Sequence, residues 1–126
     1  MTDDDFDLKP LVWMGSSRRD FALFPEEVKS EMGYALFQAQ VGGRHRKAKT
    51  FKGAGDAGVV EIIDDYRGDT FRTVYTVRFA SAVYVLHAFQ KKSKKGVATP
   101  TLDLRLIDQR LRLAQQLNGE SRHDED

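Results

Sequence analysis

The stretch 59–90, "VVEIIDDYRGDTFRTVYTVRFASAVYVLHAFQ", decides the fold. It holds three apolar runs separated by two turn signals. "VVEIIDDY" (59–66) is the first, and the "RGD" after it puts a glycine at the centre of a turn. "TFRTVYTVRF" (70–79) is dense in β-branched and aromatic residues, which suit a pleated, half-buried surface. "AS" marks a second tight turn before "AVYVLHAFQ" (82–90). Three strands joined this closely predict an antiparallel meander. Alternation sorts the middle strand into two faces: Phe71, Thr73, Tyr75, Val77 and Phe79 share one, and Arg72, Val74, Thr76 and Arg78 share the other. Two arginines therefore leave the same face of a central strand. Each either pairs with a carboxylate across the strands, with Glu61, Asp64 and Asp65 as candidates, or is available to an anionic ligand.

Beyond residue 90 the third strand does not stop at a turn. It runs into "KKSKK", which places Lys91, Lys92, Lys94 and Lys95 within five residues. Lysines at a strand end can simply discourage edge-to-edge aggregation. Four in so short a span exceed that need and point to a track for phosphates. Pro100 and Thr101 then open a last helix, with Leu102 and Leu106 in a stripe widened by Leu104, Ile107, Leu111, Leu113, Ala114 and Leu117.

Upstream of the meander, residues 44–58 read as a loop rich in glycine and positive charge, with Arg44, Arg46, Lys47, Lys49 and Lys52. Before it, "PEEVKSEMGYALFQAQVGG" (25–43) predicts a long helix. Val28, Met32, Ala35, Leu36 and Ala39 form its apolar stripe, Glu26 and Glu27 favour its N-terminal end, and Gly42-Gly43 ends it. A shorter helix over "SSRRDFALF" starts at Ser16 or Ser17, either of which can cap it. "LVWM" (11–14) is a first strand. The order β-α-α-β-β-β-α predicts a small α+β domain with helices packed on an antiparallel sheet.

The chain has 126 residues, room for one domain over 10–117, flanked by an acidic segment 1–9 and an acidic tail 118–126 expected to be disordered. Its net charge of +1 hides an uneven distribution. Removing the four aspartates of 1–7 and the net −3 of 118–126 leaves +8 on residues 8–117. A body this basic attracts polyanions, of which nucleic acid is the commonest. The absence of cysteine excludes disulfide and thiolate-metal sites. His45, His87 and His123 lack ligand spacing with a carboxylate, so neither a metal nor another cofactor is expected. No apolar run approaches a membrane span, and "MTDDDFD" is the opposite of a signal peptide, so a cytoplasmic protein is expected.

The segment "GVVEIIDDYRGDTFRTVYTVRFASAVYVLHAFQKKSKKGVATP" (58–100) resembles the core of the HigB-like, phage-derived branch of the RelE/ParE toxin superfamily. The glycine-led strand with Glu61, the "FRTVY" strand and the "LHAFQKKSKK…TP" segment carry the likeness, which extends over roughly 10–117. The resemblance implies a RelE-like fold and a type II toxin. Such toxins are typically ribosome-dependent mRNA endonucleases held inactive by an antitoxin, here expected to be a small helix-turn-helix protein from a neighbouring gene. It further implies a toxin–antitoxin hetero-oligomer. One position departs from the pattern: many relatives have an arginine two residues after the strand glutamate, and here that residue is Ile63. Some superfamily members inhibit gyrase instead of cutting RNA.

Metal-independent RNA cleavage needs a base for the ribose 2′-hydroxyl, cations for the crowded phosphate and an acid for the leaving oxygen. Arg72 suits the phosphate clamp, because its fork holds two oxygens. Lys91 and Lys92 suit clamp or acid, and crowding of lysines lowers their pKa values. Glu61 is a candidate base or a cross-strand ion-pair partner. Tyr75 could stack on a base or offer its hydroxyl, although it alternates away from Arg72. His87 is either a catalyst or a half-buried, satisfied histidine. Arg44, Arg46, Lys47, Lys49, Lys52, Arg78, Lys94 and Lys95 complete the expected RNA-binding surface. The rival class is a basic nucleic-acid-binding module without catalysis.

Overall fold

The computed structural model describes residues 8–55, 58–91 and 99–125, the last six of these as helix backbone. Five strands form one sheet: β1 (Leu11–Trp13), β2 (Ala48–Thr50), β3 (Val59–Tyr66), β4 (Asp69–Thr76) and β5 (Val83–Lys91), in the spatial order β1-β5-β4-β3-β2. The meander β3-β4-β5 is antiparallel, as is β2 against β3. β1 runs parallel to β5, which makes the sheet mixed. The β3–β4 hairpin turns on Arg67 and Gly68, whose φ values of 52° and 88° supply the two left-handed residues of a type I′ turn.

Helices cover both faces. On one lie α1 (Ser17–Ala22) and α2 (Glu26–Gln40). The stripe Val28, Met32, Ala35, Leu36 and Ala39 is buried as expected, against Val60, Ile62, Phe71, Tyr75, Val83 and Val85. Tilted rings from Trp13 through Phe21 and Phe24 to Phe71, with centroids 5.0–5.6 Å apart, tie β1, α1 and the link to α2 to the middle of the sheet. On the other face α3 (Thr101–Glu125) packs Ile107, Leu111 and Ala114 onto Val59, Val74, Tyr84 and Leu86. The predicted faces of β4 over residues 71–76 are therefore those observed.

The structure departs from the sequence reading in five places. The sheet, expected to be antiparallel, is mixed, because β1 pairs parallel with β5. Residues 48–50, expected as loop, form edge strand β2, and Lys52–Ala54 add a one-turn 3₁₀ helix. The turn after β4 is longer than "AS": β4 ends at Thr76, so Arg78 and Phe79 lie in the connection to β5. The buried stripe of α3 is narrower than the leucine pattern suggests, since Leu102 is 72 % exposed and Leu113 and Leu117 are about half exposed. The helix also continues through the segment expected as a disordered tail, to Glu125. No helix among the described residues is long and apolar enough to cross a membrane.

Candidate functional site

Strand register assembles a row of charges on the α3 face. Lys49 faces Glu61 across β2–β3, Ile63 faces Arg72 across β3–β4, and Arg72 faces Phe89 while Thr70 faces Lys91 across β4–β5. Lys49, Glu61, Arg72 and Lys91 thus step across four strands with their side chains on one side. Above the β2 half of this row opens a cleft of about 460 Å³, walled by Lys49–Gly53 and by Thr99 and Leu104 at the start of α3, with Glu61 and Arg72 in its floor. Gly53 fits here because it has no side chain: an added Cβ would lie 2.9 Å from Leu104 and 3.0 Å from the Phe51 ring.

Arg72 Nη1 lies 3.3 Å from Glu61 Oε1 and donates to Thr99 Oγ1 at 3.3 Å. The two side chains are only 16 % and 10 % exposed, so the cross-strand ion pair is sheltered from water. Arg72 Nε is buried and makes no hydrogen bond to the described residues. Lys91 is buried at the end of β5. Desolvation, followed by the nearby Arg72 cation, lowers its pKa, while Glu61 and Asp103 act in the opposite sense. The cleft floor therefore holds a guanidinium paired with a carboxylate, and a buried lysine lies on the same face of the sheet.

Next to the cleft a polar network is threaded through the interface of α3. The β4–β5 register shifts between Val74 and Tyr75: Val74 faces His87 and Tyr75 faces Val85, leaving Leu86 as the extra residue of a bulge. Leu86 and His87 consequently both turn toward α3. His87 Nε2 is 2.6 Å from Asp103 Oδ1, its Nδ1 is 3.3 Å from Arg110 Nη1, and its ring stacks on Phe89 at 4.7 Å. Arg110 also donates to the Leu86 carbonyl at 2.9 Å and to Ser16 Oγ at 3.3 Å, and Ser16 donates to Asp20. Ser16 sits at the N-cap of α1 without making a side-chain cap.

The structure thus brings together Glu61, Arg72, Lys91, Lys49 and Lys52, and sets His87 beside them. It separates the others. Tyr75 is 1 % exposed in the core beneath α2, on the opposite face, and burial pushes its hydroxyl pKa up to about 12. It does not reach the cleft. Lys47 is 3.6 Å from both Glu31 and Asp64, which hold it on the α2 side of the sheet. His45 is buried against the same Glu31. Arg44 and Arg46 are exposed on this loop, so only its Lys49–Gly53 end borders the cleft. Arg78 lies in the connection after β4, over the Phe79 ring, beyond the strand that carries Arg72. Lys92, Lys94 and Lys95 lie outside the described residues. Sequence reading missed Thr99, Asp103 and Arg110. Thr99 belongs to the "TP" of the family-like segment, to which the sequence assigns no role, and Asp103, an acidic residue in the first turn of a helix, carries a signal that denotes helix-end chemistry, not a site.

The chain matches, over residues 19–112, the family described as phage derived protein Gp49-like (DUF891), and it belongs to that family. The family is phage-derived and toxin-like, related to toxin–antitoxin toxins, and the α+β architecture is consistent with a RelE-like fold. No curated protein matches the chain.

Proposed function

We propose that the protein is the toxin of a type II toxin–antitoxin pair, and that it cleaves mRNA on the ribosome without a metal. The observation that carries this reading is the Glu61–Arg72 pair in the floor of a lysine-edged cleft, with Lys91 beside it, in a chain of a toxin-like family. The groups required for 2′-hydroxyl chemistry are adjacent. Glu61 takes the 2′-hydroxyl proton. As its charge is neutralised, Arg72 is released to clamp the phosphate oxygens. Lys91, with its lowered pKa, gives a proton to the leaving 5′-oxygen. Lys49 and Lys52 hold the flanking phosphates. Ile63, where many relatives have an arginine, faces Arg72 directly. A guanidinium from β4 thus stands next to the place where one from β3 would.

The reading places the protein in the cytoplasm, bound to its antitoxin between episodes of activity. Induced expression tests it, with growth and mRNA 5′ ends followed for wild type and Arg72→Met, with and without the neighbouring antitoxin gene. Growth arrest with new 5′ ends, relieved by the antitoxin, is expected. A second reading, a non-catalytic or gyrase-directed relative, draws on one observation: Glu61 already neutralises Arg72. Under that reading growth stops with no new mRNA ends.

A further inference from the structure

Strand β5 is nine residues long, but β1 pairs with only its first three, Val83–Val85. The chain then leaves the sheet at Met14, whose N–H donates to the Val85 carbonyl, and turns into α1. Beyond Val85 this edge of β5 has no strand beside it among the described residues. The bulge decides which groups the edge presents. Val83 N–H and Val85 C=O point toward β1, and the extra residue Leu86 shifts the alternation by one. His87 and Phe89 therefore pair inward with Val74 and Arg72, while Ala88 and Gln90 turn their N–H and C=O groups outward. Neither makes a backbone hydrogen bond to the described residues on that side. A groove of about 290 Å³ lies here, bordered by the four consecutive residues 87–90 and by Leu23 and Phe24. Successive residues of a strand alternate between its faces, so four in a row border one groove only where it follows the strand's edge. Its walls are apolar: Phe24 and Phe71 are buried, and Leu23 is 80 % exposed.

We propose that this edge receives one extended segment of the partner protein, the antitoxin of the proposed function, as an added strand that continues the line of β1. Outward N–H and C=O groups two residues apart match an extended backbone and not a helix, whose own groups are bonded internally. An apolar side chain of the added strand fills the groove between Leu23, Phe24 and Phe71. The edge ends at Lys91, and the sequence continues with Lys92, Lys94 and Lys95, so the strand carries acidic side chains at that end. A second copy of this chain is the poorer occupant, because each body of residues 8–117 carries +8 and repels its like. The identity of the partner rests on the proposed function, whereas the open edge and the chemistry it selects do not.

The experiment compares the full-length chain, free and bound to the co-expressed product of the neighbouring gene, by amide hydrogen exchange. The Ala88 and Gln90 amides should be strongly protected in the complex, and the Phe89 amide, already inside the ladder, should change less. Three variants are then titrated with the same product. Gln90→Pro removes an outward donor without touching the ladder, Gln90→Ala keeps that donor, and Leu23→Glu sets a like charge at the exposed rim. Gln90→Pro and Leu23→Glu should each weaken binding about tenfold, the worth of one hydrogen bond, and Gln90→Ala should bind like wild type. In cells the first two should stay toxic when the partner is supplied. Undiminished binding by Leu23→Glu, or equal binding by the two Gln90 variants, would overturn the edge as docking site and leave the toxin–antitoxin reading standing. Should Gln90→Pro misfold, the exchange pattern and Leu23→Glu decide. If the neighbouring product does not bind and the free chain is a dimer that Leu23→Glu dissociates, a second copy holds the edge and the assigned occupant is wrong. Absence of binding together with normal growth on induction would sink the proposed function and, with it, the assigned partner.

Discussion

Replacing Arg72 separates structure from chemistry, and the geometry sets the size of each effect. Arg72→Met keeps the length of the side chain and removes the guanidinium. It leaves the Glu61 carboxylate, 10 % exposed, without its 3.3 Å partner. Losing a hydrogen bond to a charged, sheltered group costs about 1.5–3 kcal/mol. At this chain length that corresponds to a fall in Tm of roughly 5–12 °C. An exposed arginine, the other arrangement that the sequence allows, would cost about 0.5 kcal/mol or less. Adding Glu61→Leu removes the stranded charge, and an apolar pair in place of a sheltered ion pair should recover stability to within about 1 kcal/mol of wild type. Cleavage follows a different pattern. Loss of the phosphate clamp should cost about 3–4 kcal/mol in the barrier, a hundred- to thousandfold in rate. The double variant should not recover it, because both base and clamp are gone. Thermal melting and cleavage on translating ribosomes are measured on the same preparations. If the double variant regains cleavage along with stability, Arg72 is a structural residue and the clamp lies elsewhere.

Three further outcomes are expected. Tyr75→Phe should leave cleavage unchanged and shift stability by no more than about 1 kcal/mol, because this side chain faces the core beneath α2 and not the cleft; a large loss of rate at an unchanged Tm would refute that placement. Gly15→Ala should lower stability by about 2–3 kcal/mol in urea unfolding, because φ is +55° and the new methyl would meet the Arg110 guanidinium at 2.6 Å; a neutral effect would mean that Arg110 moves freely. Binding of a single-stranded RNA should weaken with salt at a log–log slope of about −1.5 to −3, from two to four phosphates at roughly −0.7 each; a flat response would remove Lys49, Lys52, Arg72 and Lys91 from the binding surface.

What is legible in the sequence depends on periodicity. The meander, the two faces of β4 and the stripe of α2 follow from local patterns of two and 3.6 residues, and these need no partner to be recognised. Strand β2 is not legible, because three residues containing one lysine and no alternating apolar pair look like loop until β3 is present to pair with them. The bulge at Leu86 is equally invisible. Strict alternation separates the faces of Leu86 and His87, and only the extra residue turns the histidine toward α3. The basic loop looks like one wall because its charges are contiguous in sequence. In the fold Lys47 lies just before β2, where Glu31 and Asp64 draw it to the α2 side, while Lys49 within the strand faces α3. The Arg72–Glu61 pair is among the arrangements the sequence allows for that arginine, but composition cannot rank a structural pair against a ligand site.

Under the proposed function that pair serves both roles, and the order of events reconciles them. In the free protein Glu61 neutralises Arg72, so the attraction for an incoming backbone comes from Lys49, Lys52 and Lys91. Pairing also holds the long arginine side chain in one arrangement, and its ordering entropy is met at folding instead of at binding. A buried Nε without a partner among the described residues costs free energy that a phosphate oxygen can recover. Once a 2′-hydroxyl proton reaches Glu61, the carboxyl no longer competes for the guanidinium. Arg72 is then without its counter-charge at the moment when negative charge gathers on the phosphate, which is when an interaction lowers the barrier and not merely the binding constant. Glu61→Gln separates these steps: it should tighten RNA binding, because Arg72 is freed, and abolish cleavage, because the base is lost. Weaker binding together with lost cleavage would show that Glu61 supports the cleft without restraining Arg72.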